Sequence, residues 1–161
     1  IDKVKSEKGV CEIANDNSDN QIILSGDKDS MNNIYKILKN DKKRSIFLPV
    51  SAPFHCSLMK SASEKMKDKI NNTNFKNPNI FLVSNVTAKP SNDFNEIKNL
   101  LVQQIYSKVR WRESINFMIN QGVNEFIEIG PGKVLSGLIK RISDKVSTKS
   151  INTMEDIKSL K

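Results

Sequence analysis

Phe126-Ile127-Glu128-Ile129-Gly130-Pro131-Gly132-Lys133-Val134-Leu135-Ser136-Gly137-Leu138-Ile139-Lys140-Arg141-Ile142 is the stretch that decides the fold. Its first four residues read as a buried-type strand, because apolar and β-branched side chains dominate them. Gly130-Pro131-Gly132 breaks that strand, and Val134, Leu135, Leu138, Ile139 and Ile142 then recur on one face of a helix. Strand, glycine turn and helix in immediate succession are an α/β unit, which sets the fold class. The turn lacks the G-x-x-x-x-G-K-[ST] spacing of a phosphate loop and the third glycine of a dinucleotide fingerprint. It reads as a tight turn, with a second reading in which the helix N-terminus and Lys133 favour an anion nearby.

Outward from there, Ile115, Met118 and Ile119 mark a helix stopped by Gly122, and Ile97, Leu100, Leu101 and Ile105 mark another. Pro90 to Asp93 reads as a loop. Ile80-Phe81-Leu82-Val83 is apolar without alternation, which predicts a strand covered on both faces in a parallel sheet. Leu58, Ala62, Met66 and Ile70 give one more helical stripe. The first third is different in kind: a strand at Ile22-Ile23-Leu24, then a helix carrying Met31, Ile34, Tyr35 and Leu38, capped by Asp27 or Asp29. Ile46-Phe47-Leu48 reads as a strand that Pro49 confines to an edge or an end. The expectation is a small α+β piece over residues 1–54 and an α/β piece over residues 55–161, with the seam near Ser51 to Phe54.

A chain of 161 residues with 37% apolar side chains is long enough for one compact core. The sequence has no apolar run of about 18 residues and no charged-then-apolar leader pattern, so the expectation is a cytoplasmic protein without a membrane span. Its first residue is Ile1 rather than Met, which fits a truncated chain. The two cysteines, Cys11 and Cys56, lie far apart without metal-ligand spacing and read as ordinary reduced thiols. A net charge of +8 points to an anionic partner. Nucleic acid is disfavoured as that partner, since only four arginines occur (Arg44, Arg110, Arg112, Arg141) and the aromatics, 6% of the chain, are scattered.

The chemistry-bearing segment is Pro49-Val50-Ser51-Ala52-Pro53-Phe54-His55-Cys56-Ser57-Leu58-Met59, which carries the only histidine. Imidazole is the one side chain whose ordinary pKa lets it take and return a proton at neutral pH. His55 therefore has two readings: a base pre-positioned by the stiff Pro53 turn, or a structural residue capping the helix that starts near Leu58. Cys56 reads as a small buried thiol rather than a dyad partner, because adjacent side chains diverge. Ser51 and Ser57 read as polar turn residues, since neither occupies a strained strand-to-helix elbow. Asn15, Asn17 and Gln21 read as an Asx-rich turn before the first strand.

Taken in order, four segments resemble the malonyl-CoA:acyl carrier protein transacylase family: N-x-N-S-x-x-Q at Asn15 to Gln21, P-V-S-x-P-x-H-x-x-L-M at Pro49 to Met59, Q-x-Y-x-x-V-x-W at Gln104 to Trp111, and E-x-G-P-G-K-V-L-x-G-L at Glu128 to Leu138. The resemblance runs along almost the whole chain and implies the C-terminal portion of the family's fold. That fold is an α/β-hydrolase-like core with an inserted ferredoxin-like α+β subdomain. The implied activity is malonyl transfer from malonyl-CoA to the pantetheine thiol of acyl carrier protein, in fatty-acid biosynthesis, through an acyl-serine intermediate and without a cofactor.

By the same resemblance His55 matches the general base, and Gln104 matches the residue whose backbone carbonyl orients it. Asn15 and Asn17 match polar residues lining the cleft near the acyl and pantetheine groups. Arg44 and the lysines would face the phosphates of CoA and the acidic helix of the carrier protein. The complete enzyme is expected to be a monomer. The departures are equally specific: the serine elbow, the arginine that pairs the malonyl carboxylate and the oxyanion-hole amides have no counterpart in this sequence, so the chain alone is expected to be inactive. Arg110 and Arg112 are not candidates for the missing clamp merely by being available. Asp19-Asn20 replaces the usual Pro-Gly, and Lys108 stands where the family often has Pro. A related acyltransferase of different acyl or carrier choice, and a non-catalytic module that binds acyl carrier protein, are the alternatives. Because strands central to the family's sheet would expose edges and apolar faces, poor solubility or oligomerisation is expected.

Overall fold

The computed structural model describes residues 9–159. Its first unit is an antiparallel hairpin of β1 (Cys11–Ser18) and β2 (Gln21–Gly26), followed by helix α1 (Lys28–Asn40). Asp27 is the N-cap: its carboxylate accepts the Ser30 amide at 2.9 Å and the Val10 amide at 2.5 Å, tying the helix start to the hairpin edge. Gly26 is dictated by the same junction, since a Cβ there would lie 1.9 Å from the Val10 carbonyl oxygen. At the far end of α1, Lys42 takes the left-handed conformation (φ 55°), and the Lys43 amide reaches back to the Leu38 carbonyl at 2.8 Å. That is a Schellman stop built without glycine. Cys11 and Ile34 form a small buried cluster here, with Leu24, Met31, Ile37 and Leu38 against it.

Residues 43–50 form no strand, which corrects the expectation for Ile46-Phe47-Leu48. Among the described residues no strand pairs with them to complete a ladder, and Ile46, Phe47 and Leu48 are exposed, Phe47 resting on the Tyr35 ring at 4.9 Å. Helix α2 (Lys60–Asn72) follows a short 3-10 turn at Ser57–Met59 and packs on α3 (Phe94–Gln103). Between them the apolar run at 80–83 yields only β3 (Leu82–Val83). It pairs antiparallel with β4 (Pro90–Ser91), where the sequence suggested a loop. The predicted parallel strand, covered on both faces, is not formed there: Ile80 is 80% exposed.

Helix α4 (Trp111–Asn120) buries Ile115 completely and ends at Gly122 (φ 91°), as the pattern predicts. Then come β5 (Glu125–Ile129), α5 (Val134–Ile142), β6 (Ser147–Ile151) and α6 (Met154–Lys158). β5 and β6 pair in parallel from Glu125↔Ser147 to Ile129↔Ile151, with α5 as the crossover. The chain is therefore a mixed α/β structure with a βαβ unit at the stretch where the reading began. The described strands make three two-stranded sheets, so β5 has an open side and Ile129 is 82% exposed.

Candidate functional site

The site is assembled around β1. The Val109 amide donates to the Ala14 carbonyl at 2.8 Å and the Asp16 amide to the Val109 carbonyl at 2.9 Å, a parallel bridge that fixes the segment after α3. Arg112, one residue into α4, donates to Asp16 at 2.9 Å and to Asp19 in the hairpin turn. These two carboxylates hold its guanidinium above its usual range, Asp16 first. On the opposite end of the strand, Glu12 accepts the Ser57 amide at 3.0 Å and the Ser57 hydroxyl.

Between these anchors the loop before α2 presents His55. Its Nδ1 lies 2.8 Å from the backbone carbonyl oxygen of Gln104, and its own amide donates to the Ile105 carbonyl at 3.3 Å. A carbonyl only accepts, so the contact places the ring proton on Nδ1 and leaves the Nε2 lone pair unprotonated in the neutral ring. His55 has φ 59°, a left-handed conformation uncommon among residues other than glycine. Cys56 is fully buried beside it and its thiol donates to the Pro53 carbonyl at 3.2 Å, closing the turn. Both cysteines are free, and burial pushes the Cys11 thiol up.

The structure thus brings His55 and Gln104 together and ties β1, the strand that carries Asn15 and Asn17, to Ser57 and to Val109. Asn17 is buried, and its amide donates to the Gln21 side chain at 3.2 Å across the hairpin turn. Asn15 is held by the bridge to Val109. Arg44 lies on the exposed segment after α1, with no hydrogen bond or ion pair to the His55 loop. Arg110 donates to Glu113 and to the Thr87 carbonyl at 3.3 Å, so both it and Arg112 have structural partners. The anion at the α5 N-terminus is internal: Glu128 accepts the Leu135 and Ser136 amides at 3.0 and 2.8 Å. The Ser136 hydroxyl, followed by the backbone amides, holds the Glu128 carboxyl below its ordinary range. Glu12, and the role of Arg112 in tying α4 to β1, escaped the sequence reading, since their partners lie far away in the chain and leave no local signal. Among the described residues no group of three His, Cys, Asp or Glu side chains is placed to hold a metal ion, and no helix is long and apolar enough to cross a membrane.

No family model matches the chain. It is 42% identical to the malonyl CoA-acyl carrier protein transacylase of Bacillus subtilis over 157 residues, 97% of this chain and 50% of that protein. The acyl-carrier-protein S-malonyltransferase of Bartonella henselae superposes with a TM-score of 0.93 at 40% identity, over 99% of this chain and 51% of the other. A malonyl-transacylase solved in complex with a type II PKS acyl-carrier protein gives 0.91 at 34% identity, covering 98% and 51%. The fold around His55 is therefore that of the S-malonyltransferases. Along nearly its whole length the chain is similar to the malonyl CoA-acyl carrier protein transacylases, in keeping with a C-terminal portion of such a protein, and it spans about half the length of the curated relatives it matches.

Proposed function

We propose that this chain is the general-base portion of an enzyme that moves a malonyl group from malonyl-CoA to the pantetheine thiol of acyl carrier protein. In this reading residues 1–54 belong to a ferredoxin-like subdomain and residues 55–161 to an α/β-hydrolase-like core. The observation that carries it is the 2.8 Å contact of His55 Nδ1 with the Gln104 carbonyl. The contact leaves Nε2 free to accept a proton, with a fixed backbone dipole in the place of a triad carboxylate.

The nucleophile is a serine outside this sequence. His55 Nε2 takes its hydroxyl proton as the oxygen attacks the malonyl thioester, and the oxyanion collapses to expel CoA thiolate. His55 returns the proton to that sulfur. In the second half-reaction the carrier-protein thiol gives its proton to Nε2 and attacks the acyl-serine, and the proton ends on the serine oxygen. Asn15 and Asn17 line the cleft near the acyl and pantetheine groups. Arg44 and the lysine-rich surface supply the charge that attracts CoA phosphates and an acidic carrier protein. No cofactor takes part, and the complete enzyme acts as a cytoplasmic monomer in fatty-acid synthesis. The test is to join the chain to the N-terminal half of the Bacillus subtilis relative and follow malonyl transfer to acyl carrier protein. His55→Ala lowers the rate about 10²- to 10⁴-fold, the usual weight of a general base. Turnover near that of the unsubstituted protein refutes the assignment, and a panel of acyl-CoA thioesters separates malonyl from other acyl choices.

A further inference from the structure

His55 is held in the left-handed region, and the loop that carries it needs an anchor on each side. Across it, the Cys56 thiol fastens the turn to the Pro53 carbonyl. After it, the 3-10 turn at Ser57–Met59 has Cys56 as its N-cap and no side-chain cap of its own. The anchor is supplied from another element: Glu12 on β1 accepts both the amide and the hydroxyl of Ser57, two residues beyond His55. The same strand bonds Val109 on both sides through Ala14 and Asp16, and so fixes the segment that presents the Gln104 carbonyl. One strand therefore sets the position of the histidine and of the oxygen that orients it.

We propose that Glu12 is a positioning residue for His55: its two-pronged hold on Ser57 keeps His55 at φ 59° and its Nδ1 on the Gln104 carbonyl. The inference rests on the reading of His55 as the general base. Without Glu12 the amide and hydroxyl of Ser57 turn to water, the left-handed residue relaxes to negative φ, and the ring leaves Gln104. A neutral amide at position 12 preserves the hold, because its carbonyl oxygen accepts the Ser57 amide and its NH2 group donates to the hydroxyl.

His55 is the only histidine, so one set of imidazole resonances in the full 161-residue chain reports it without ambiguity. Long-range proton–nitrogen NMR of the neutral ring distinguishes Nδ1–H from Nε2–H. The unsubstituted chain and Glu12→Gln are expected to show Nδ1–H, Glu12→Ala to lose it, and Ser57→Ala, which keeps only the amide prong, to lose part of it. Unchanged amide exchange along β1 and β2 marks each variant as folded, and Ser57→Ala carries the test where Glu12→Ala does not fold. A retained Nδ1–H signal in folded Glu12→Ala, or an undiminished one in Ser57→Ala, overturns the role of Glu12 alone. An unsubstituted chain lacking Nδ1–H overturns the reading of His55 itself.

Discussion

Replacing His55 separately by glycine and by alanine separates two properties that natural histidine joins at this position. Both substitutions remove the imidazole, and with it the Nδ1 contact to Gln104 at 2.8 Å, a part-buried hydrogen bond contributing about 1 kcal/mol. They differ in backbone: at φ 59° an L residue is strained by about 1–2 kcal/mol, whereas glycine adopts that region freely. Glycine's larger conformational entropy in the unfolded chain offsets about 0.5–1 kcal/mol of that gain. His55→Gly is therefore expected to be more stable than His55→Ala by about 1 kcal/mol and close to the unsubstituted chain. Urea unfolding followed by the fluorescence of Trp111, the single tryptophan, reads the difference. With a slope near 2 kcal/mol per molar, the glycine variant's midpoint lies about 0.5 M above that of alanine. Equal midpoints, or alanine above glycine, would refute the argument that the loop holds His55 in a costly conformation.

Further expectations concern the frame around the site. The Ser30 amide, the Val10 amide and the Ser30 hydroxyl lower the Asp27 carboxyl from 3.8 to about 2. Because the folded value is the depressed one, its stabilisation is complete above pH 4 and is lost as pH falls toward 2. Asp27→Asn should flatten that part of the acid-unfolding curve, and an identical curve contradicts the assignment. Gly26→Ala forces a Cβ to within 1.9 Å of the Val10 oxygen and should cost about 1–3 kcal/mol, seen as faster amide exchange in β1 and β2. An unchanged exchange pattern disproves the close approach. Arg112→Ala frees Asp16 and Asp19 from α4, so amides at 17–20 should exchange faster while those of α3 do not. The exposed Ile80, Phe81, Ile129 and Val134 should drive self-association that grows with concentration in size-exclusion chromatography; a single monomeric peak at every concentration refutes this.

Local signals in the sequence translated well. Asp27 before the apolar stripe of α1, Gly122 after that of α4, and Gly130-Pro131-Gly132 between β5 and α5 each act through their own backbone or near neighbours, so a short window contains the whole cause. Ile46-Phe47-Leu48 and Ile80-Phe81 misled because an apolar run states a demand for cover without naming what supplies it. Among the described residues no strand pairs with either run, and both stay largely exposed. Pro90 hid β4, since a two-residue edge pairing tolerates a proline that a longer ladder excludes. Glu12 was illegible: its partner Ser57 is 45 residues away, and a glutamate in an alternating strand looks like an ordinary solvated position. His55 stood out by being unique, yet the pairing with Gln104 came through family resemblance alone, because nothing about a glutamine side chain marks the carbonyl behind it.

The contact from the His55 ring to the main chain at Gln104 also shapes how this site responds to mutation. Every amino acid carries the same carbonyl, so substitution at position 104 cannot delete the acceptor, and a scan by alanine would record that position as dispensable. Sensitivity moves instead to whatever bends the main chain after α3. Proline at Ile105 would remove the amide that answers Val102 at 3.4 Å and drive the preceding residue away from helical geometry, turning the oxygen from the ring. The acceptor for the His55 ring is thus set by the shape of a turn, and changes in the side chains of that turn leave the contact untouched until the shape fails.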